Sequence, residues 1–225
     1  MNEQYKPILF NTEMVQAIID GRKTMTRRVV RKKYSNTDLR IKTDKYGMRL
    51  VEWQNDAPPC TLVAVRDVMP PYKRGDILWV RETFKIDYLS DARYQGRIRY
   101  RASGYEDFSY REERHEMMLR LHRKPGWVPN ENMPKEAARI FLRVTGARAE
   151  RLWSINEDDA AAEGCAVGDQ YGANSTKSQT AKQSFMWLWQ RLNDFRNGGV
   201  YAWAANPWVW VYTFELVDKP EGWLE

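Results

Sequence analysis

Apolar residues first recur at helical spacing between Thr12 and Asp20, where Met14, Val15, Ile18 and Ile19 share a face and Asn11 or Thr12 offers a capping oxygen. Gly21 ends that helix, because glycine tolerates the left-handed closing conformation, and it leaves Arg22 and Lys23 on a turn at the negative end of the helix dipole. The run Ile77-Leu78-Trp79-Val80-Arg81-Glu82 is nearly continuous in apolar character and predicts a strand buried on both faces. From Ala138 to Leu152 strict alternation sets Ile140, Leu142 and Val144 against Arg139, Phe141 and Arg143, which predicts a long strand. Ser154-Ile155-Asn156-Glu157 matches a capping box and predicts a helix through the alanines to Glu163, stopped by Gly164. A third helix is predicted over 184–195 from the stripe Phe185, Leu188, Trp189 and Leu192. After Asn206-Pro207, the β-prone run Trp208 to Val217 predicts a closing strand.

Between these elements lie two stretches of mixed pattern. Residues 31–71 combine charge with Gly, Pro and Asn and contain Met48 to Trp53, a short alternating piece suited to a hairpin. Residues 87–132 read as irregular, with a surface helix around Arg111 to Arg120 and a proline-punctuated end. A polar loop is expected from Val167 to Gln183. Strands outnumber helices, so the expected fold is α+β: one domain over 1–225, a small mixed β-barrel with peripheral helices and insertions at about 31–71 and 87–132.

Composition narrows the class. No apolar run approaches the roughly 20 residues that span a bilayer, and the opening residues lack the apolar core of a secretory signal, so a cytoplasmic protein without membrane contact is expected. Cys60 and Cys165 are too few for a disulfide framework or a thiolate metal site, and His115 and His122 lack a matched third ligand. Neither G-x-x-x-x-G-K-[ST] nor G-x-S-x-G occurs, which disfavours a nucleoside triphosphatase or a conventional serine hydrolase. No metal and no cofactor are expected. The net charge of +6 is modest, but Arg22, Lys23, Arg27, Arg28, Arg31, Lys32 and Lys33 follow one another with no acid among them, which suits a polyanion partner as well as a solvated face. The ten tryptophans include Trp187, Trp189, Trp208 and Trp210, placed where core packing accounts for them.

The spacing Gly21-x-Lys23-x-x-Thr26-x-Arg28 sets an amine, a hydroxyl and a guanidinium within a short length of chain. A threonine hydroxyl is a weak nucleophile until a base takes its proton, and lysine serves as that base only when burial or neighbouring cations lower its pKa. A carboxylate to orient the lysine or move a proton has two candidates, Glu163 at a helix end and Glu82 at a strand end. The same residues are open to a plain structural reading, in which Gly21 caps a helix, Thr24 and Thr26 cap or pair in a strand, and the cations are solvated.

The order of Gly21-Arg22-Lys23-Thr24-Met25-Thr26-Arg27-Arg28, Gly75-Asp76-Ile77-Leu78-Trp79-Val80, the helix ending at Glu163 and the closing strand resembles the ASCH domain, whose signature is G-x-K-x-x-T/E-x-R. Trp79-Val80-Arg81-Glu82-Thr83, Met133-Pro134-Lys135-Glu136-Ala137 and Asn206-Pro207-Trp208-Val209-Trp210 resemble the longer, phage- or prophage-borne branch. The resemblance implies a PUA-like barrel with a cleft for RNA or a nucleoside. Some compact members are amidohydrolases that deacetylate acetylcytidine with a Lys, Thr and Glu set. Carried over, the set falls on Lys23, Thr26 and Glu163 as catalytic residues, with Gly21, Arg22, Arg28 and Glu82 toward substrate. The alternatives are a non-catalytic RNA-binding module and a metal-independent ribonuclease.

Overall fold

In a computed structural model the described residues are 5–32, 37–44, 47–55, 62–169 and 177–223. The strands are β1 (Tyr5–Leu9), β2 (Met25–Val29), β3 (Thr37–Asp44), β4 (Gly47–Asn55), β5 (Leu62–Asp67), β6 (Ile77–Arg81), β7 (Phe84–Ser90), β8 (Gln95–Tyr100), β9 (Tyr105–Ser109), β10 (Phe141–Arg151) and β11 (Trp208–Val217). The helices of a full turn or more are α1 (Thr12–Ile19), α2 (His115–His122), α3 (Glu157–Ala162) and α4 (Ala181–Asn193). The class is α+β. Strands form three sheets, of order β1-β6-β10-β11-β2, β3-β4-β5 and β7-β8-β9, and none closes into a barrel among the described residues. Lys33, Cys60 and residues 170–176 of the expected polar loop lie outside the described residues.

The chain divides into two compact units, one of 1–24, 74–145 and 214–225, the other of 25–73 and 146–213. In the first, β1 runs parallel to β6, and β6 pairs antiparallel with the start of β10 through Trp79 opposite Phe141. Ile77, Leu78 and Val80 are buried, as the apolar run predicts. The stretch 87–132 is not irregular: β7, β8 and β9 make an antiparallel meander. On β8, Gly96, Ile98 and Tyr100 are buried while Gln95, Arg97 and Arg99 are exposed, the alternation of a half-buried strand. Helix α2 is not a surface helix either, since Met118 and Leu121 join Phe84, Ile86, Ile98 and Tyr100 in one core. Burying an aliphatic or aromatic side chain of this size contributes about 1.5–3 kcal/mol, which is what anchors so short a helix.

In the second unit, residues 37–67 supply the sheet β3-β4-β5, of which the sequence pattern showed only one alternating piece. β2 pairs antiparallel with β11, Thr26 opposite Tyr212 and Arg28 opposite Trp210. The cap of α3 is Asn156, whose side chain accepts from the Asp159 amide, rather than Ser154, because 152–154 form a tight turn with Leu152 buried. α4 begins at Ala181 under a Thr180 cap and buries Phe185, Leu188 and Trp189. Two ties hold its start: the Lys182 amide donates to Glu157, and the Ser184 hydroxyl donates to Asp169.

Candidate functional site

The signature begins where α1 stops. Asn11 caps the helix by accepting from the Met14 amide at 2.8 Å, Gly21 sits at φ +71°, and its amide donates to Ile18. The Lys23 amide then donates to the Ala17 carbonyl, which folds the chain back against its own helix and turns the Lys23 side chain inward. Its amine nitrogen lies 5.5 Å from the centroid of the Phe10 ring. Arg22 takes the opposite course. It is exposed and pairs with Asp20 at 2.9 Å. The Gln16 amide and then Arg22 hold the Asp20 carboxyl below its usual range.

From Met25 the chain becomes β2, so the second half of the signature lies on a strand and its side chains alternate. Thr26 is buried and shares a face with Arg28 and with their cross-strand partners Tyr212 and Trp210. The Tyr72 ring meets that of Tyr212 edge-on, 5.0 Å between centroids. Desolvation lowers the Arg28 pKa, while Tyr72, Glu163 and Tyr212 act in the opposite sense. Burial raises the Tyr72 hydroxyl, and it raises Tyr212 further, beyond the range in which it ionises in water. The Tyr212 hydroxyl is buried without a hydrogen bond of good geometry among the described residues, and the Tyr72 backbone amide acts against the rise in its pKa. This face thus carries a hydroxyl, a fixed cation and a neutral phenol.

Arg27 points the other way. Its side chain is wholly buried and donates to Glu150 at 2.7 Å, to Asp159 at 2.5 Å and to Glu163 at 3.4 Å, with the Phe185 ring 5.8 Å from its guanidinium. Burial pulls the Arg27 pKa down, and Glu163, Glu150 and Asp159 together more than offset that, leaving it above the usual arginine range. Glu163 is the C-cap of α3, with Gly164 at φ +89° ending the helix behind it. The glycine stop therefore delivers the carboxylate to Arg27, and the charge of Glu163 is also felt by Arg28.

Glu82 follows β6 directly and accepts from Arg139 at 2.8 and 3.0 Å, a bidentate pair whose guanidinium lies 3.8 Å from the centroid of the Tyr100 ring. Desolvation raises its pKa, and the Arg139 hydrogen bonds act against that rise. The structure thus brings Glu163 together with Arg27, Thr26 with Arg28 and Tyr212, and Glu82 with Arg139 and Tyr100. The basic run is neither one solvated face nor one stripe. Lys23 and Arg27 are buried, Arg28 is half-buried, and Arg22, Arg31 and Lys32 are exposed. Of the other candidates, His115 meets the Tyr110 hydroxyl and His122 the Ile86 carbonyl.

Sequence reasoning missed Tyr72, Tyr212, Glu150 and Asp159. The available signal was the strand period: with Thr26 and Arg28 on one face, Arg27 must enter the other, and a buried guanidinium needs carboxylates. No helix among the described residues is long and apolar enough to cross a membrane. The residues define an α+β protein with buried polar groups on both faces of β2, Thr26 with Arg28 and Tyr212 on one and Arg27 with Glu150, Asp159 and Glu163 on the other. Comparisons with known proteins find no matching family model, no matching curated sequence and no matching solved structure.

Proposed function

We propose that this chain is an ASCH-type protein of the PUA-like superfamily that binds a nucleoside, free or within RNA, and hydrolyses the amide of an acylated cytidine or a related small amide. One observation carries the reading: Lys23, Thr26 and Glu163 are exposed to only 2, 3 and 5 %. Burying an amine, a hydroxyl and a carboxylate costs several kcal/mol unless each is compensated. A chain that used its basic run only to meet a polyanion would leave Lys23 in water, as it leaves Arg31 and Lys32.

In this reading the Lys23 amine accepts the proton of the Thr26 hydroxyl, whose oxygen attacks the amide carbon. The C–N bond breaks as the exocyclic amine takes a proton, with Glu163 assisting the transfer. Water then cleaves the Thr26 ester and releases the carboxylic acid. Arg28, on the same strand face as Thr26, stands as the fixed cation for the charge that develops on the carbonyl oxygen.

The test is chromatographic hydrolysis of acetylcytidine by wild type, Thr26→Val and Lys23→Met, with thermal unfolding run beside it. Thr26→Val keeps the buried volume and removes the hydroxyl, so turnover should fall by at least about 100-fold with a folded protein. Wild-type turnover in Thr26→Val, or no turnover by the wild type on acylated nucleosides, overturns the proposal.

A further inference from the structure

The exposed end of the basic run leads into a second place in the same unit. Lys32, just beyond β2, lines an open cleft of about 760 Å³ together with residues of β3, the end of β10 and the segment entering β11. Its buried lining is apolar, Val30 and Leu39. Its aromatic lining is Tyr201 and Trp208, and its exposed lining includes Lys32, Arg40 and Arg151 against a single carboxylate, Asp38, which sits 3.7 Å from Arg40.

The cleft is built rather than incidental. The Trp208 indole donates to the Leu39 carbonyl at 2.8 Å, which fixes the ring and ties β3 to β11. The Arg151 guanidinium lies 4.7 Å from the Trp208 ring centroid while donating to the Asn206 carbonyl at 3.1 Å. Asn206 itself takes the left-handed conformation, φ +43°, with its side chain held by the Trp153 amide at 2.9 Å. A rare backbone conformation secured from two sides is one way a site is kept in shape before its ligand arrives.

We propose that this cleft binds a nucleotide unit, with the base against Tyr201 and the Arg151–Trp208 stack and the phosphate among Lys32, Arg40 and Arg151. The volume falls within the 300–1,000 Å³ typical of small-ligand sites. Flat aromatic and guanidinium surfaces take any base by its π-face, and the surplus of cations takes the phosphate. An acidic peptide would use the cations and leave the aromatic surfaces unused. None of these residues belongs to the Lys23, Thr26 and Glu163 set, so the inference stands or falls apart from amide hydrolysis.

The experiment is fluorescence anisotropy of the full chain with a labelled single-stranded RNA octamer, competed by cytidine monophosphate, inorganic phosphate and octaglutamate. Lys32→Gln with Arg40→Gln removes two exposed cations and should lower the slope of log affinity against log salt by about 1.4, at about 0.7 per phosphate contact on a single strand. Tyr201→Ala should weaken binding about 5- to 150-fold, the worth of one base stacked on an aromatic ring. Its backbone carbonyl, which accepts from Trp189, is unchanged by the substitution. Competition by the mononucleotide supports the proposal and identifies a free nucleotide as sufficient; binding of the octamer alone supports it and identifies a strand. No binding of either probe below about 1 mM, variants that bind as wild type, or phosphate or octaglutamate competing as well as the nucleotide would each overturn it.

Discussion

Replacing Arg27 by methionine keeps most of the side-chain length and removes the charge from the centre of the second unit. Arg27 has no exposed side-chain surface, and its three carboxylates differ in what remains after it is gone. Glu150 and Asp159 keep Arg148, which donates to each at 2.9 Å, and their side chains retain 16 and 17 % exposure. Glu163, 4 % exposed, is the most deeply buried of the three. Removing one partner of a buried pair costs about 3–5 kcal/mol, because the other charge stays desolvated. For a chain of this size that lowers the melting temperature by about 6–20 °C. Urea unfolding, followed by circular dichroism and tryptophan fluorescence, measures the loss. A double-mutant cycle with Glu163→Gln should then show coupling of about 1.5–3 kcal/mol, against under about 1 kcal/mol with Glu150→Gln. A loss below about 1 kcal/mol for Arg27→Met, or stronger coupling to Glu150 than to Glu163, refutes the reasoning.

Two glycines separate backbone strain from crowding. A Cβ at Gly21 meets nothing within 4 Å, so Gly21→Ala should cost only the left-handed penalty of about 1–2 kcal/mol. A Cβ at Gly96 would lie 2.6 Å from the Tyr88 carbonyl oxygen and 2.9 Å from the Phe108 ring, so Gly96→Ala should cost about 3 kcal/mol or more. Urea midpoints measure both, and equal losses would refute the distinction. Glu82 supplies a pH dependence. Burial holds its folded pKa above the ordinary 4.5, so just above pH 4.5 the folded state binds more protons than the unfolded. Stability therefore declines as pH rises through that window, and Glu82→Gln should remove that part of the decline; an identical slope between pH 4 and pH 7 in both proteins would count against it.

Much of the fold is legible where local chemistry and tertiary need agree. Helix α1 runs from its Asn11 cap to Gly21 as its spacing predicts, and β11 occupies Trp208–Val217 because aromatic and β-branched residues fill a half-buried strand well. The meander has a weaker local pattern, since β9 is almost wholly exposed. Gly96 stands at a core position of β8, where the Tyr88 backbone and the Phe108 ring leave no room for a Cβ. At α3 two overlapping capping patterns compete, Ser154 with Glu157 and Asn156 with Asp159. Buried Leu152 and Ile155 decide for the second by holding 152–154 in a turn. The Arg27 network joins residues more than 120 positions apart, which no local pattern encodes.

That network changes what a substitution at Glu163 can mean. The proposed reaction gives Glu163 a proton-transfer role, whereas the structure makes it a partner of a buried guanidinium. Loss of activity in Glu163→Gln would mix chemistry with the release of Arg27, whose remaining partners Glu150 and Asp159 are shared with Arg148. Thr26 carries no charge, so its replacement by valine releases no ion pair; its neighbours on the strand face are Arg28 and Tyr212. The hydroxyl, not the carboxylate, is therefore the position at which a lost reaction can be separated from a loosened interior.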